Sequence, residues 1–218
     1  MIEELGVKRV LVRFKLWQIQ DIGALENFLR SFKDVKVTLK IMQDREHVED
    51  AELLKRDLDT IFERFKNLVD IFEIGTTINR AKWGFFSVDE YSRFYKVAYD
   101  LKMSKYKDIK LIGSGVIDFE YHFTAHTLFN LYNYRYDGVS SLLYVDRRGA
   151  PENKQIIFTL LDKIALLSSI VSLSLKTKNE LHITETNWPL SGTAPYAPTS
   201  EYECVRIVTG KQIGRAHV

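Results

Sequence analysis

Segments that predict strands alternate with segments that predict helices along almost the whole 218-residue chain. A two-residue apolar period is typical of strands, and apolar residues spaced three and four apart are typical of amphipathic helices. The predicted strands are Arg9–Leu16, Val35–Met42, Val69–Ile74, Lys110–Ile112, Val139–Val145 and Glu180–Asn187. The predicted helices are Ile22–Phe32, Leu54–Phe65, Ser87–Leu101, Asp118–Tyr132 and Lys154–Leu175. Residues 118–120 also alternate well enough to continue the fourth strand.

Strict alternation of strands and helices leaves two main architectures, an open doubly wound sheet and an eight-stranded barrel. Neither a Gly-x-Gly-x-x-Gly segment nor a Gly-x-x-x-x-Gly-Lys-Ser/Thr loop occurs, so no nucleotide cofactor is expected. Polar and aromatic residues instead follow several strands, at Trp17 and at residues 43–44, 76–83, 144–148 and 185–188. Barrels build their sites from many strand ends. We therefore predict an α/β fold, a partial (β/α)8 TIM barrel with about six βα units visible.

Composition excludes several other classes of protein. Hydrophobic residues make up 45% of the chain, as in globular domains, and the most apolar window, Ile156–Leu175, contains charges and serines that favour a buried helix over a membrane span. The net charge of +2 gives no case for a nucleic-acid partner. The single cysteine, Cys204, excludes an intramolecular disulfide framework and any zinc site built from cysteines.

Both ends of the chain look cut. Residues 1–6 resemble the tail of a helix that leads straight into a strand, so a preceding βα unit is expected to be missing. Residues 213–218 read like the translation of a sequencing-adapter oligonucleotide, although a genuine C-terminus is the alternative. We therefore expect one domain over 1–211 and a non-native tail over 212–218, with residues from about Gly210 onward packing on nothing. No signal peptide is seen, which slightly favours the cytoplasm, but the compartment and the oligomeric state stay open.

The segment His182–Pro189 is predicted to contain the functional site of the molecule. It reads as a strand that ends at Pro189, which forbids further pairing. Glu185 takes the last inward position, where a carboxylate is costly unless it is paired or used. A Pro/Gly/Ser-rich loop follows, as at the rim of an active site. The alternative is that Glu185 caps the next helix or pairs with an arginine.

Two segments resemble the catalytic motifs of clan A glycoside hydrolases, closest to the family 39 type, over roughly the second to seventh βα units. Ile183-Thr184-Glu185, followed by Asn187-Trp188-Pro189, is similar to the strand-seven motif, which ends in the nucleophile. Phe72–Asn79, followed by Trp83-Gly84, is similar to the strand-four pattern Glu-Ile-Trp-Asn-Glu-Pro-Asn. The resemblance implies a carbohydrate substrate and Glu185 as nucleophile.

The strand-four motif departs from the family at its key position. Glu73, Ile74 and Asn79 match the pattern, whereas residues 75–78 do not, and Thr77 stands where the acid/base glutamate is expected. Retaining enzymes need two carboxyl groups about 5–5.5 Å apart, and a threonine hydroxyl is far too weak an acid. The possible substitutes are Glu73, whose family counterpart pairs with barrel arginines, and three acids on later strand ends, Asp118, Glu120 and Asp146.

Further strand-end residues are candidates for sugar binding. Tyr144–Gly149 joins an acid to two arginines, which suits an acidic or phosphorylated sugar, or equally a surface ion-pair cluster. Tryptophan rings stack on sugars but are as often plain packing, and His122 with His126 is a weak metal pair. We predict no metal site. The predicted substrate-binding residues are Asn79, Trp83, Tyr144, Asp146, Arg147, Asn187 and Trp188.

Four functions follow from these patterns. The first is a retaining O-glycoside hydrolase or transglycosidase with Glu185 as nucleophile. The second is a non-catalytic carbohydrate-binding barrel that keeps the cleft without the chemistry. The third is a barrel enzyme of another class that binds a phosphorylated or acidic sugar, and the fourth is a barrel fragment whose strand-end residues are only structural.

Overall fold

The computed structural model describes residues 4–146 and 149–187. The strands are β1 (Arg9–Lys15), β2 (Lys36–Met42), β3 (Ile71–Ile74), β4 (Leu111–Ile117), β5 (Gly138–Leu142) and β6 (Leu181–Glu185). The helices are α1 (Ile22–Arg30), α2 (Arg45–Glu49), α3 (Ala51–Phe65), α4 (Val88–Lys105), α5 (Tyr121–Leu128) and α6 (Leu160–Ser172), with 3-10 turns at Leu16–Asp21 and Ala81–Trp83. The predicted alternation of strands and helices is confirmed.

The six strands form one parallel sheet in which spatial order follows chain order, from β1 to β6. A doubly wound sheet reverses its strand order at a switch point, and the described strands contain no such reversal. In a flat sheet β1 and β6 would lie about 24 Å apart. Arg13 on β1 nevertheless contacts Glu185 on β6, so the sheet curls into a half-barrel.

Helix starts follow local capping chemistry, and the helices cover the outside of the sheet. The side chain of Asp50 accepts the backbone N–H groups of residues 52 and 53 at the start of α3, and Ser87 caps α4. The buried stripe of α3 packs on the sheet, where Phe62 meets Phe72 edge to face with ring centroids 5.0 Å apart. The carboxyl ends of the strands are thereby left to form one rim.

The fourth strand is longer than predicted, and the helix after it starts later. The predicted strand stopped at Ile112, whereas β4 runs through Gly113 and Gly115 to Ile117. Gly113 is required because a Cβ there would lie 2.3 Å from the Tyr91 hydroxyl oxygen, and Gly115, at φ +55°, forms a bulge against β5. Asp118 does not cap a helix, since α5 begins only at Tyr121.

The last two units also differ from the prediction. The predicted helix Lys154–Leu175 shrinks to α6, because Thr159 and Asp162 form a capping box that starts it at Leu160. The reading of its apolar window as a buried helix is wrong for the outer face, where Leu161 is 75% exposed. β5 and β6 are shorter than predicted, and the short helix α2, capped by Asp44, was missed.

Replacing Ile156 by glycine is expected to stabilise the protein. Ile156 has φ +58° and is 90% exposed, so a β-branched residue adopts a left-handed conformation with little packing to lose. The free energy of unfolding in urea should rise by about 1 kcal/mol, because glycine relieves the left-handed strain. Ile157→Gly is the matched control, since Ile157 is also exposed but has no positive φ, and it should lose about 0.5–1 kcal/mol. Equal effects of the two substitutions would contradict the assignment of strain to Ile156.

Among the described residues, no helix combines the length and the apolar character needed to cross a membrane. The predicted non-native tail, residues 212–218, and the start of the chain at 1–3 lie outside the described residues. The prediction that the tail packs on nothing therefore stays a prediction.

Candidate active site

The carboxyl end of β6 turns two successive side chains into the half-barrel. Ser141 pairs with Ile183, but the next residue of β5, Leu142, pairs with Glu185, so Thr184 is the extra residue of a bulge. Across the half-barrel, the Thr184 side chain contacts residues of β2 and β3, and the Glu185 side chain contacts a residue of β1. The bulge therefore presents Glu185 inward at the rim, next to Thr184.

The Glu185 carboxylate contacts two donors, one on each oxygen. The Arg13 guanidinium on β1 pairs with Oε2, and the Tyr144 hydroxyl, just after β5, donates to Oε1. The Glu185 side chain is 26% exposed and that of Arg13 is 48% exposed, so a ligand has access to this group. The two donors fix the orientation of the carboxylate, and the guanidinium balances its charge.

Behind Glu185 lies a buried polar layer inside the half-barrel. Lys40 Nζ is 3.3 Å from Glu73 Oε2 and 3.4 Å from Thr184 Oγ1, and the Thr184 hydroxyl donates to Glu73 Oε1 at 3.1 Å. The Lys40 and Glu73 side chains are 1% and 0% exposed. The family resemblance implied an arginine partner for Glu73, but the cation is a lysine. This layer ties β2 and β3 to the bulge that carries Glu185.

Thr77 and Asn79 lie at the end of β3 and join it to β4. Thr77 is 5% exposed and has φ +52°, and its N–H donates to the Gly115 carbonyl at 2.7 Å. The Asn79 side chain pairs with both backbone groups of Ile117, at 2.9 and 3.0 Å, as a strand would. The Asn79 amide nitrogen also donates to Glu120. Both Asn79 N–H donors are thus used to hold the rim, while its role in substrate binding stays a prediction.

The acids proposed as substitutes after β4 are held by a cation. Arg80 NH2 lies 2.8 Å from Asp118 Oδ2 and 2.6 Å from Glu120 Oε1. The Arg80 guanidinium, assisted by Asn79, holds the pKa of Glu120 below its usual range. A general acid near neutral pH needs a raised pKa, so Glu120 is poorly suited to protonate a leaving group.

A buried lysine fixes the segment that carries Tyr144. Lys163 is 0% exposed, and its ammonium donates to the carbonyls of Tyr144 and Val145, at 3.3 and 2.5 Å, and to the Gln155 side chain. Burial lowers the pKa of Lys163. The half-buried Asp146 is near enough to act electrostatically on this ammonium. Lys163 thereby sets the position of the hydroxyl that contacts Glu185.

A cavity of about 560 Å³ opens at the ends of β1, β2 and β3. We call it the rim cavity, and it is lined by Trp17, Gln43, Asp44, Arg45, Ala81, Lys82, Trp83, Gly84 and Phe86. The buried Gln43 amide donates to the carbonyls of Thr76 and Trp83, at 2.9 and 2.7 Å, and its oxygen accepts the Thr76 N–H at 3.0 Å. Gln43 therefore anchors the segment that carries Trp83.

Of the predicted site residues, the structure brings Glu185 and Tyr144 into contact, and Glu73 reaches the same strand end through Thr184. Trp83 lines the rim cavity, and Asn187 is half-buried just after β6. Arg147 and Trp188 lie outside the described residues. His122 and His126 share α5 and are exposed, and the described residues include no cluster of three or more potential metal ligands.

Sequence reasoning missed Arg13, Lys40 and Lys163 as members of the site. Lys40 and Lys163 are cations in largely apolar segments, where an unpaired buried charge is too costly to persist, whereas Arg13 is 48% exposed and gives no such signal. A cation in an apolar segment therefore predicts that a carboxylate or carbonyl partner lies nearby, without identifying that partner. The contacts of Arg13 with Glu185 and of Lys40 with Thr184 follow only from the curvature of the sheet, whereas Glu73 lies directly opposite Lys40 on the neighbouring strand.

The chain was also compared with known proteins. It matches no protein-family model and no curated protein sequence.

Proposed function

We propose that this chain belongs to a retaining glycoside hydrolase-like barrel that acts on O-glycosyl bonds of an oligo- or polysaccharide, with Glu185 as nucleophile. The observation that carries the proposal is the Glu185 carboxylate at the end of β6, accessible and held by Arg13 and Tyr144. Six consecutive parallel strands that curl into a half-barrel suit six units of a (β/α)8 barrel. The resemblance to clan A enzymes adds the expectation of a sugar substrate.

In the proposed first step, Glu185 attacks the anomeric carbon and forms a glycosyl ester. The bond between that carbon and the leaving oxygen breaks, and its electron pair stays on the oxygen. Arg13 and Tyr144 orient the carboxylate for attack, and they stabilise the carboxylate that is released when the ester is hydrolysed. Water then attacks the same carbon, Glu185 leaves as a carboxylate, and the proton that water loses passes to the bulk solvent.

The leaving oxygen normally takes a proton from a second carboxylic acid. Thr77 replaces that acid. Of the four alternatives, Glu73, Asp118 and Glu120 each pair with a lysine or an arginine, and Asp146 acts electrostatically on the Lys163 ammonium. This pairing favours a second candidate function, a carbohydrate-binding barrel without hydrolytic activity. In either case the sugar is expected in the cleft that Glu185 faces.

The Glu185→Gln variant is expected to lose cleavage of activated aryl glycosides by on the order of 10³-fold or more, because the amide is not a nucleophile. A panel of 2,4-dinitrophenyl glycosides, followed by release of the coloured phenol, measures this loss. Glu180→Gln is the matched control, since Glu180 lies just before β6 with 57% of its side chain exposed. Unchanged cleavage in Glu185→Gln would refute the nucleophile. Binding of a sugar without cleavage of any glycoside would support the second candidate function.

A further inference from the structure

The rim cavity has the composition of a sugar subsite that is separate from the Glu185 position. Trp17, Trp83 and Phe86 supply its aromatic surface, and Trp17 and Phe86 are 44% and 68% exposed. The volume of about 560 Å³ is within the range of small-molecule sites. An exposed tryptophan in a concave site, here Trp17, is costly in water and suits the apolar face of a ligand ring.

The position of the cavity suits a neighbouring unit of the same sugar chain. Arg13, which contacts Glu185, and Lys15 are two residues apart on β1 and therefore point to the same side. The Lys15 ammonium lies 5.6 Å from the ring centroid of Trp17. Arg13 and Lys15 therefore lie in one row on β1, with Glu185 beside the first and Trp17 beside the second.

Two cations beside the cavity form no ion pair among the described residues. Arg45 is neutralised by Glu90, at 2.8 and 2.9 Å, and by Glu49. Asp44 is held by the ring of His47 at 2.9 Å. In the described part of the chain, no ion pair is found for Lys15 or for Lys82, whose ammonium lies 5.7 Å from the Trp83 ring centroid.

We propose that the rim cavity binds a uronic acid unit of the oligosaccharide, with its ring on Trp17 or Trp83 and its carboxylate between Lys15 and Lys82. The placement of this unit on the same sugar chain that Glu185 attacks rests on the proposed function. The binding of a uronic acid in the rim cavity does not depend on it. A neutral sugar would use the aromatic surface and leave both ammonium groups unused. Charge complementarity therefore selects the acidic sugar.

The test is calorimetric titration of the full chain with trisaccharides of galacturonic, glucuronic and mannuronic acid. Each is paired with the neutral trisaccharide in which a hydroxymethyl group replaces the carboxylate. One acidic trisaccharide should bind roughly tenfold more tightly than its neutral partner at low salt, and the preference should shrink as salt is added. The double variant Lys15→Gln/Lys82→Gln should lose the preference for the acidic trisaccharide. The double variant Trp17→Ala/Trp83→Ala should bind both the acidic and the neutral trisaccharide more weakly.

Lys66→Gln is the matched control, because the Lys66 ammonium lies 5.8 Å from the Tyr106 ring, away from the cavity, and its loss should leave the preference unchanged. Equal affinity within every pair, no binding of any trisaccharide, or a preference that survives the double lysine variant would each overturn the proposal. Covalent labelling of Glu185 is scored separately. Acid-selective binding without labelling would contradict the proposed function and support the uronic acid site in the rim cavity. Labelling without acid-selective binding would support the proposed function and contradict the uronic acid site.

Discussion

Methyl glycosides are expected to be cleaved very slowly relative to 2,4-dinitrophenyl glycosides of the same sugar. This ratio of rates should be on the order of 10²–10⁴-fold lower than in an enzyme that has a working general acid. The physical reason is that dinitrophenolate departs without a proton, whereas an alkoxide needs one. Thr77 cannot supply it, and Arg80 keeps the pKa of Glu120 low. A series of aryl glycosides of graded phenol pKa measures this as a steep dependence of kcat/KM on the leaving group.

Thr77→Val is the control for the leaving-group series. The Thr77 side chain is 5% exposed, and the valine variant should leave every rate unchanged. Rapid turnover of an unactivated oligosaccharide, abolished by Glu185→Gln and untouched by Thr77→Val, would contradict the account. The acid would then have to come from another carboxylate.

Lys40→Met is expected to lower the free energy of unfolding by about 3–5 kcal/mol, because it leaves the Glu73 charge buried without its cation. Unfolding in urea, followed by circular dichroism, measures the loss. The double variant Lys40→Met/Glu73→Met should recover much of it, since a buried pair can be replaced by apolar side chains at little cost. A single variant within about 1 kcal/mol of the parent would show that Lys40 and Glu73 are not coupled in this way.

The architecture could be predicted from the sequence, and element boundaries less well. Apolar periodicity reports which segments are strands and helices, and strict alternation leaves few topologies. The end of β4 was misjudged because glycine ordinarily weakens a strand, and the close packing of Tyr91, Tyr95 and Tyr136 explains why Gly113 is needed there. The start of α6 was misjudged because its capping box follows several apolar residues that resemble helix.

The candidate site could be predicted only where a motif marked it. Glu185 and Tyr144 lie on strand ends that the sequence shows, and their contact is seen in the structure. The bulge at Thr184 is invisible in the sequence, because two-residue alternation assumes that no residue is skipped. Arg13 was recognised as a strand residue, but its contact across the half-barrel depends on curvature, which local periodicity does not encode.

The most direct test of Glu185 as nucleophile is covalent labelling of the protein with 2-deoxy-2-fluoro glycosyl dinitrophenolates of several sugars. The fluorine slows both formation and hydrolysis of the glycosyl ester, and the activated leaving group restores the rate of formation alone, so the ester accumulates. Mass spectrometry of the intact chain and of its peptides should show one added sugar, on the peptide that contains Glu185, and none in Glu185→Gln. A label on another carboxylate, or no label with any sugar of the panel, would contradict the assignment of Glu185 as nucleophile.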